Sequence, residues 1–404
     1  MPIRRHVLII LVLAAASLMD ARAAGTQQAK KEVTTDQITS LRQAIKELAD
    51  SYPRRYSEAE TYLSKLDALG RSGTAHQKFC RLRRRALVRD NPLLDIDSLL
   101  VVKRKKAVYP TNHECNWSLQ RTGYRNEIAA LEPVRKGGTV STIFRPDDGG
   151  WVGEMDLHWN GRDLVFARAD GQNWKIWEMD AGGGSLHRVM EDQPGDVHNF
   201  DPCYTPDDRI IFASTASYNA VPCWHGEKRA CNLYSMSRDG GDVRQLCFDQ
   251  DNTLHPTVLN DGQIMYNRWD YTGIFHIYLR PLMAMNPDGT GQRAVYGTNS
   301  WWPNALYFPR AVPGSSSKVV AIASGHHGAR RAGEMILLDY ARGSRSTEGV
   351  IQRITDREET VKPIIKDRLV DGSWPKFLHP CPLSDSFFLA AAKPRPSANW
   401  GIYL

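Results

Sequence analysis

Histidine and carboxylate side chains at a few recurring positions are the groups in this 404-residue sequence best suited to chemistry. Imidazole nitrogens are common ligands of zinc and copper, and carboxylate oxygens can complete such a site. His326 and His327 are adjacent, follow an apolar run and precede Gly328, so we predict that they bind a divalent metal. Neighbouring side chains on a strand point to opposite faces, so the pair shares one site only if the chain bends. The further candidates for a ligand-binding site are Asp201, His255, Arg168, Trp269, Asp270 and His379.

A structural role is the alternative for several of these residues. Asp201, His255 and His379 each precede a proline. A polar side chain at such a position often hydrogen-bonds buried backbone groups instead of binding a ligand. Trp269 has a similar alternative, because a tryptophan is often an apolar packing residue.

No catalytic or cofactor motif accompanies these candidates. Ser324-Gly325-His326 lacks the nucleophile elbow of hydrolases, and the glycine run at 182–184 is typical of a hairpin turn because no helix follows. The sequence has no C-x-x-C-H pattern, so it encodes no site for covalently bound haem. The formal net charge of +7 is modest for this length, and no nucleic-acid-binding module is visible. We therefore expect a binding or scaffold protein rather than an enzyme, with no nucleic-acid partner.

The first 24 residues have the pattern of a cleaved secretory signal peptide. Arg4 and Arg5 precede an uncharged apolar run over residues 7–18, and residues 21–23 read Ala-Arg-Ala, a small-x-small cleavage site. The apolar run is too short to span a bilayer comfortably, and no later stretch is long and apolar enough. The sequence therefore predicts a periplasmic or secreted protein without a transmembrane anchor.

Seven cysteines are present, and disulfides are permitted in an exported protein. Cys223 and Cys231 enclose a short segment, which makes them the best local pair for a disulfide. Buried free thiols are the alternative, because spacing alone does not fix connectivity. An odd count leaves at least one cysteine unpaired or paired with another chain.

A repeat of about fifty residues supplies the elements that must position these side chains. Residues 33–92 carry helical patterning, and short β-type runs separated by Asp, Gly and Pro turns begin near residue 98. Matching places in successive units are held by Met179, Met236, Met285 and Leu338. Each unit contains four short strands, of which the second is apolar and β-branched, and tight Asn/Asp-Gly turns join them. Four antiparallel strands at this period are the signature of β-propeller blades.

The units predict an all-β propeller of about six blades over residues 98–404. A signal peptide over residues 1–24 and a short α-helical segment over residues 25–92 precede it. The last blade stops at Leu404, inside its expected third strand, so we expect a truncated blade. In a propeller, the starts of the first strands and the loops between second and third strands lie on one face. The candidate ligand residues fall at these places, together with Asp156, and we expect them to gather at one mouth of the central channel.

The repeat units resemble a known class of propeller. The string "DPCYTPDDRIIFAST", continued by "NLYSMSRDGGDVRQL", resembles the PD40-type repeat of TolB-like propellers. Longer strings are similar to the propeller region of hydrazine synthase alpha subunit-like proteins of planctomycete-type bacteria, including "NHEC", "RQLCFDQDNTLHPTVLNDGQIMYNRWDYT", "GHHG" and "WPKFLHPCPLSD". The resemblance covers about residues 98–404 and implies a TolB-like fold and export.

The resemblance leaves different functional hypotheses open. It implies that the chemistry of the hydrazine synthase subunit belongs to c-type haems outside the propeller, and no haem ligand carries over to this chain. The first hypothesis is an exported binding or scaffold module that presents one channel mouth to a protein partner or small ligand, with a divalent metal as candidate cofactor. The second is the propeller portion of a larger haem or metallo-enzyme whose catalytic domain is absent from this chain. A third is a carbohydrate ligand stacked on Trp269.

Overall fold

The computed structural model is a ring of small β-sheets with a helical layer formed by the N-terminal part of the chain. It describes residues 6–8, 32–69, 75–105, 108–191, 193–224, 226–271, 278–354, 361 and 363–404. Of the predicted signal peptide, only residues 6–8 are described, and the rest lies outside these ranges. Within them, no helix combines the length and the apolar character needed to cross a membrane.

Three helices form the helical layer: α1 (Thr35–Ser51), α2 (Ala59–Asp67) and α3 (Ala75–Arg84). A capping box starts α1, because the Thr34 hydroxyl accepts from the Gln37 N–H while the Gln37 side chain accepts from the Thr34 N–H. Apolar faces of the helices bury one shared cluster, which includes Leu41, Ile45, Leu48, Tyr62 and Phe79. Short helical turns follow at Arg85–Arg89 (a π-turn) and, as 3-10 turns, at Pro92–Leu94, Asn116–Ser118, Val134–Lys136 and Pro222–Trp224.

Six sheets, called blades below, are formed by the described residues in chain order. Blade one contains β1 (His6–Leu8), β2 (Ser98–Arg104), β3 (Asn126–Glu132) and β4 (Thr139–Phe144). Blade two contains β5 (Val152–Leu157), β6 (Asp163–Asp170), β7 (Asn173–Asp180) and β8 (His187–Arg188). Blade three contains β9 (Asn199–Tyr204), β10 (Arg209–Ser214), β11 (Asn232–Ser237) and β12 (Arg244–Gln245).

The remaining three blades repeat this order. Blade four contains β13 (Thr253–Val258), β14 (Ile264–Arg268), β15 (Leu282–Met285) and β16 (Arg293–Tyr296). Blade five contains β17 (Ala305–Ala311), β18 (Lys318–Ser324), β19 (Glu334–Asp339) and β20 (Val350–Arg353). Blade six contains β21 (Lys376–Pro382), β22 (Phe388–Lys393) and β23 (Gly401–Tyr403). These sheets confirm the predicted all-β propeller of about six blades behind a short helical segment.

The second strand of each blade is buried on both faces. The apolar runs at 164–166, 210–212, 264–266 and 319–322 lie in β6, β10, β14 and β18, and they are buried throughout. Neighbouring blades provide the cover, since β9 of blade three contacts β5, β6 and β7 of blade two. A single blade could not bury both faces by itself, so the ring is the arrangement that hides these runs.

The first and last blades differ from the four between them. In blade one, β1 pairs in parallel with β2, with His6 opposite Ser98 and Leu8 opposite Leu100. Residues 6–8 belong to the predicted signal peptide, so its cleavage would leave blade one with β2, β3 and β4. In blade six, three strands are described, and β23 pairs with residues 390–392 of β22. Phe387, in the turn before β22, is buried in the same cluster as the helices. The helical layer therefore packs against blade six.

Five first strands share one backbone distortion. A bulge interrupts the pairing of β5, β9, β13, β17 and β21 with the following strand. At each bulge a residue other than glycine has positive φ: Glu154 (50°), Asp201 (57°), His255 (57°), Phe308 (50°) and His379 (45°). This left-handed conformation costs an L-residue about 1–2 kcal/mol. Five such residues at equivalent positions, called the axial ring below, must be stabilised by their surroundings.

Candidate functional site

The axial ring surrounds a centre that is almost filled. Its five residues line one cavity of about 10 Å³, which has room for about one water molecule. His255 and Phe308 are 2% and 5% exposed, and Glu154 and His379 are also buried. The axis is therefore a packed polar core rather than an open pocket for a ligand.

Two carboxylates of the ring each bind the backbone of the next blade. The Asp201 N–H donates to Glu154 Oε2 at 2.9 Å, and the His255 N–H donates to Asp201 Oδ2. Asn116 completes the Glu154 environment by donating from Nδ2 to Oε1 at 2.7 Å. Both N–H groups belong to bulged residues, which the sheet pairing leaves without a strand partner. The two side chains thus satisfy buried donors and support the strained conformations.

Phe308 separates the two histidines of the axial ring. Its ring centroid lies 4.2 Å from that of His255 and 4.1 Å from that of His379. His379 Nε2 is 2.8 Å from the Tyr109 hydroxyl oxygen, and His255 Nδ1 is 3.0 Å from Asp201 Oδ2. An ion shared by His255 and His379 would have to displace the phenyl ring, so these two residues do not form a metal site as they stand.

The axial ring holds ionisable groups in different charge states. Burial raises the pKa of Glu154 to about 8, and the neighbouring Asp201 acts in the same direction. Burial also opposes the charge of Asp201, but the attraction and hydrogen bonds from His255, together with the Arg331 charge, lower the pKa of that carboxyl. Burial lowers the pKa of His255 and of His379. Glu154 is therefore largely protonated at neutral pH, while Asp201 carries the negative charge.

A second group of side chains comes from the loops between second and third strands. This mouth cluster consists of His113, Trp224, Trp269, His326 and His327. His113 stacks 5.7 Å from Trp224 and lies 5.8 Å from His326 and 5.5 Å from His327, measured between ring centroids. Trp269 lies 5.4 Å from His326. Loops from blades one, three, four and five therefore meet at this cluster.

A bend in the loop after β18 turns both adjacent histidines towards the mouth cluster. Gly328 has φ of +92°, and a Cβ atom there would lie 2.0 Å from an Asp371 carboxylate oxygen. Asp367 fixes the bend, because its backbone oxygen accepts the His326 N–H at 2.9 Å and its carboxylate accepts the His327 N–H at 3.1 Å. The two imidazole centroids are consequently only 4.4 Å apart.

Three imidazoles of the mouth cluster have the spacing of a metal site. Among the described residues, His113, His326 and His327 are the one set of three or more such groups whose ligand atoms all lie within 4.8 Å of one another. The Asp367 carboxylate lies 2.8 Å from His327 Nδ1 and leaves Nε2 for an ion, which is the usual support for a ligating histidine. The buried Nδ1 of His113 has no hydrogen-bond partner within the described part of the chain.

Arg280 distinguishes His326 from the other two histidines. Its Nη1 is 3.1 Å from His326 Nδ1, so that ring nitrogen accepts a hydrogen bond. Burial is the main cause that lowers the pKa of His326 to about 2, and the positive charge of Arg280 is the second. Burial also lowers the pKa of His113. Both rings are neutral at physiological pH, which is the form that binds metals, although the Arg280 charge opposes a cation close to His326.

The other predicted site residues lie elsewhere. Arg168 stacks on Trp177, with its guanidinium carbon 4.9 Å from the ring centroid. Asp270 accepts from Arg268 Nε at 2.6 Å. The Cys223 side chain lies outside the described residues, so the predicted Cys223–Cys231 disulfide has no structural description. Cys231 itself is a buried free thiol here.

Sequence reasoning missed Glu154, Phe308 and His113. Phe308 precedes a proline as Asp201 does, so the repeat could have indicated it. Glu154 precedes Met155 and not a proline, so the sequence does not show that it occupies the same position as Asp201 and His255. Asp156 was the residue expected at that position of blade two. His113 lies in the loop between the second and third strands of blade one. A comparison of that loop with the equivalent loop of blade five, which carries His326 and His327, would have indicated His113 as a candidate.

The ring of six sheets formed by the described residues defines the fold of the chain, which is a six-bladed β-propeller. No protein-family model and no curated protein matches the sequence. Among solved structures, hydrazine synthase from Kuenenia stuttgartiensis is similar, with a TM-score of 0.55 at 13% identity over 78% of this chain and 45% of that one. TolB from Acinetobacter baumannii matches with a TM-score of 0.38 at 16% identity over 54% of this chain and 46% of that one. This chain thus matches less than half of the hydrazine synthase chain, and the likeness shows the fold alone.

Proposed function

We propose that this chain is an exported binding propeller that holds a divalent transition metal at the mouth cluster through His113, His326 and His327. The observation that supports this is the convergence of three imidazoles, with ligand atoms within 4.8 Å, from loops of two different blades. Imidazole ligands favour zinc, copper or nickel over calcium or magnesium. The metal would tie the loop of blade one to the loop of blade five and so shape the face that contacts a small ligand or a protein partner.

Binding of the metal alone tests the proposal. We expect purified protein to bind one Zn²⁺ ion in titration calorimetry, and elemental analysis to find stoichiometric metal. His327→Ala and His113→Ala should abolish this binding. Asp367→Asn should weaken it by about 10–100-fold, because it removes the carboxylate that orients His327. His326→Ala should weaken it less than the other two, since Arg280 already occupies His326 Nδ1.

The matched control is His187→Ala, which removes an exposed imidazole that contacts only the Ser185 carbonyl oxygen among the hydrogen bonds described. That variant should bind the metal as the unsubstituted protein does. Equal binding by the unsubstituted protein and the His113→Ala, His327→Ala double variant would refute the site. So would the absence of stoichiometric metal from all samples.

A second candidate function is supported by the hydrazine synthase match. The alignment covers 78% of this chain but 45% of the other chain. The corresponding proposal is that this propeller is one part of a larger haem or metallo-enzyme and contributes a docking or passage-forming surface there.

A further inference from the structure

Cys115 and Cys231 meet behind the mouth cluster. Cys115 lies in the loop between β2 and β3 of blade one, two residues after His113, and Cys231 immediately precedes β11 of blade three. Their Sγ atoms are 2.9 Å apart, and both residues are 0% exposed. This separation is shorter than the distance at which unbonded sulfur atoms normally pack. A disulfide bond of about 2.05 Å therefore requires only a small further approach of the two atoms.

We infer that Cys115 and Cys231 form a disulfide bond in the mature protein. Each thiol loses its proton, the Sγ–Sγ bond forms, and the two electrons released reduce a disulfide-containing oxidant to two thiols. The bond requires an oxidising compartment or an added disulfide oxidant, and it does not depend on metal binding.

The surroundings of the two sulfurs accommodate the bond. Asn252 Oδ1 lies 3.1 Å from Cys115 Sγ and accepts the Cys231 N–H at 2.9 Å. The amide oxygen therefore keeps a hydrogen bond after both thiol protons are lost. Cys247 is equally buried, but its sulfur contacts the Leu233 N–H at 3.2 Å and the Thr253 hydroxyl at 3.3 Å. Among the described cysteines, the geometry singles out Cys115 and Cys231.

The bond would fix the loop that serves both clusters. That loop carries His113 into the mouth cluster and Asn116 to the Glu154 carboxylate. Joining it to blade three closes a chain loop of more than a hundred residues, the kind of cross-link that restricts the unfolded state most. It also excludes the predicted Cys223–Cys231 bond, because one sulfur cannot belong to both.

Peptide mapping of alkylated protein tests the inference. The full chain is refolded with oxidised glutathione, denatured, alkylated without reductant, digested and analysed by mass spectrometry. We expect a linked Cys115–Cys231 peptide that disappears after reduction. The same peptide should persist in Cys247→Ser, the matched buried control, and be absent from Cys115→Ser and Cys231→Ser. Alkylation of both Cys115 and Cys231 before reduction, or a linked Cys223–Cys231 peptide, would overturn the inference.

Thermal unfolding provides a second measurement on the same samples. Reduction should lower the Tm of the unsubstituted protein by about 5–10 °C, as the loss of a long-loop disulfide does in a chain of this size. The Cys115→Ala, Cys231→Ala double variant should have the same Tm with and without reductant. An equal response of the variant and the unsubstituted protein would argue against the bond even if the variant is less stable.

Discussion

Glu154 is buried and Asp201 is mostly shielded from solvent, and a single peptide N–H connects the two carboxyl groups. One of the two is protonated and neutral, and the other is negatively charged. The Asp201 N–H donates to Glu154, and the Asp201 carboxylate accepts from His255. Burial and the Asp201 charge raise the pKa of Glu154 to about 8, whereas His255 lowers the pKa of Asp201. The propeller axis therefore carries one negative charge where two carboxylates meet.

The protonated Glu154 makes the stability of the propeller depend on pH. Its pKa is about 8 in the folded protein and near the ordinary 4.5 when unfolded, so the folded state retains the proton more strongly. The stabilisation is complete below pH 4.5 and declines as the pH rises to about 8, at up to about 1.4 kcal/mol per pH unit. Between pH 4.5 and about 8, we expect the urea concentration at the unfolding midpoint to fall less in Glu154→Gln than in the unsubstituted protein. Parallel midpoint curves for the two proteins would contradict the assignment.

At the scale of elements, the turn after β21 joins the helices to the propeller. Phe387 is 8% exposed and shares a buried cluster with Leu41 of α1 and Phe79 of α3. We expect Phe387→Ala to lower the free energy of unfolding by about 3 kcal/mol, because it leaves a cavity between the helices and blade six. Chemical denaturation followed by circular dichroism measures the change.

Phe248→Ala is the matched control for Phe387→Ala. The Phe248 side chain is 77% exposed, so its removal should change the free energy of unfolding by no more than about 0.5 kcal/mol. Equal destabilisation by the two substitutions would show that the helices and blade six are not joined through Phe387.

The strands were predictable from the sequence because local patterns determine them. Apolar, β-branched runs such as residues 210–212 become second strands, and Asp239-Gly240 turns the chain between third and fourth strands as a tight turn requires. The left-handed conformations of Asp201 and His255 were not predictable, because a carboxylate from the preceding blade stabilises each of them. His113 joins His326 and His327 only after the ring closes, so no local pattern marks it as their partner.

Export of the whole chain and its place in a larger protein can both be tested on the protein from its native source. Intact-mass analysis and N-terminal sequencing of the protein from its native source should show that residues 1–24 are missing, because they carry a signal-peptide pattern. Retention of residue 1 in all fractions would contradict export. A native product longer than 404 residues that carries haem would favour the larger enzyme over the binding module.

The repeated bulge places side chains of different chemistry at the axis on the same backbone conformation. Each of five blades uses the same backbone conformation to direct one side chain at the axis, and the five side chains are a glutamate, an aspartate, two histidines and a phenylalanine. The shared backbone conformation therefore does not require one particular side chain at this position. The Phe308 side chain forms no hydrogen bond to the next blade, so a single substitution there would change the polarity of the axis, whereas Glu154 and Asp201 also hold the N–H of the following bulge.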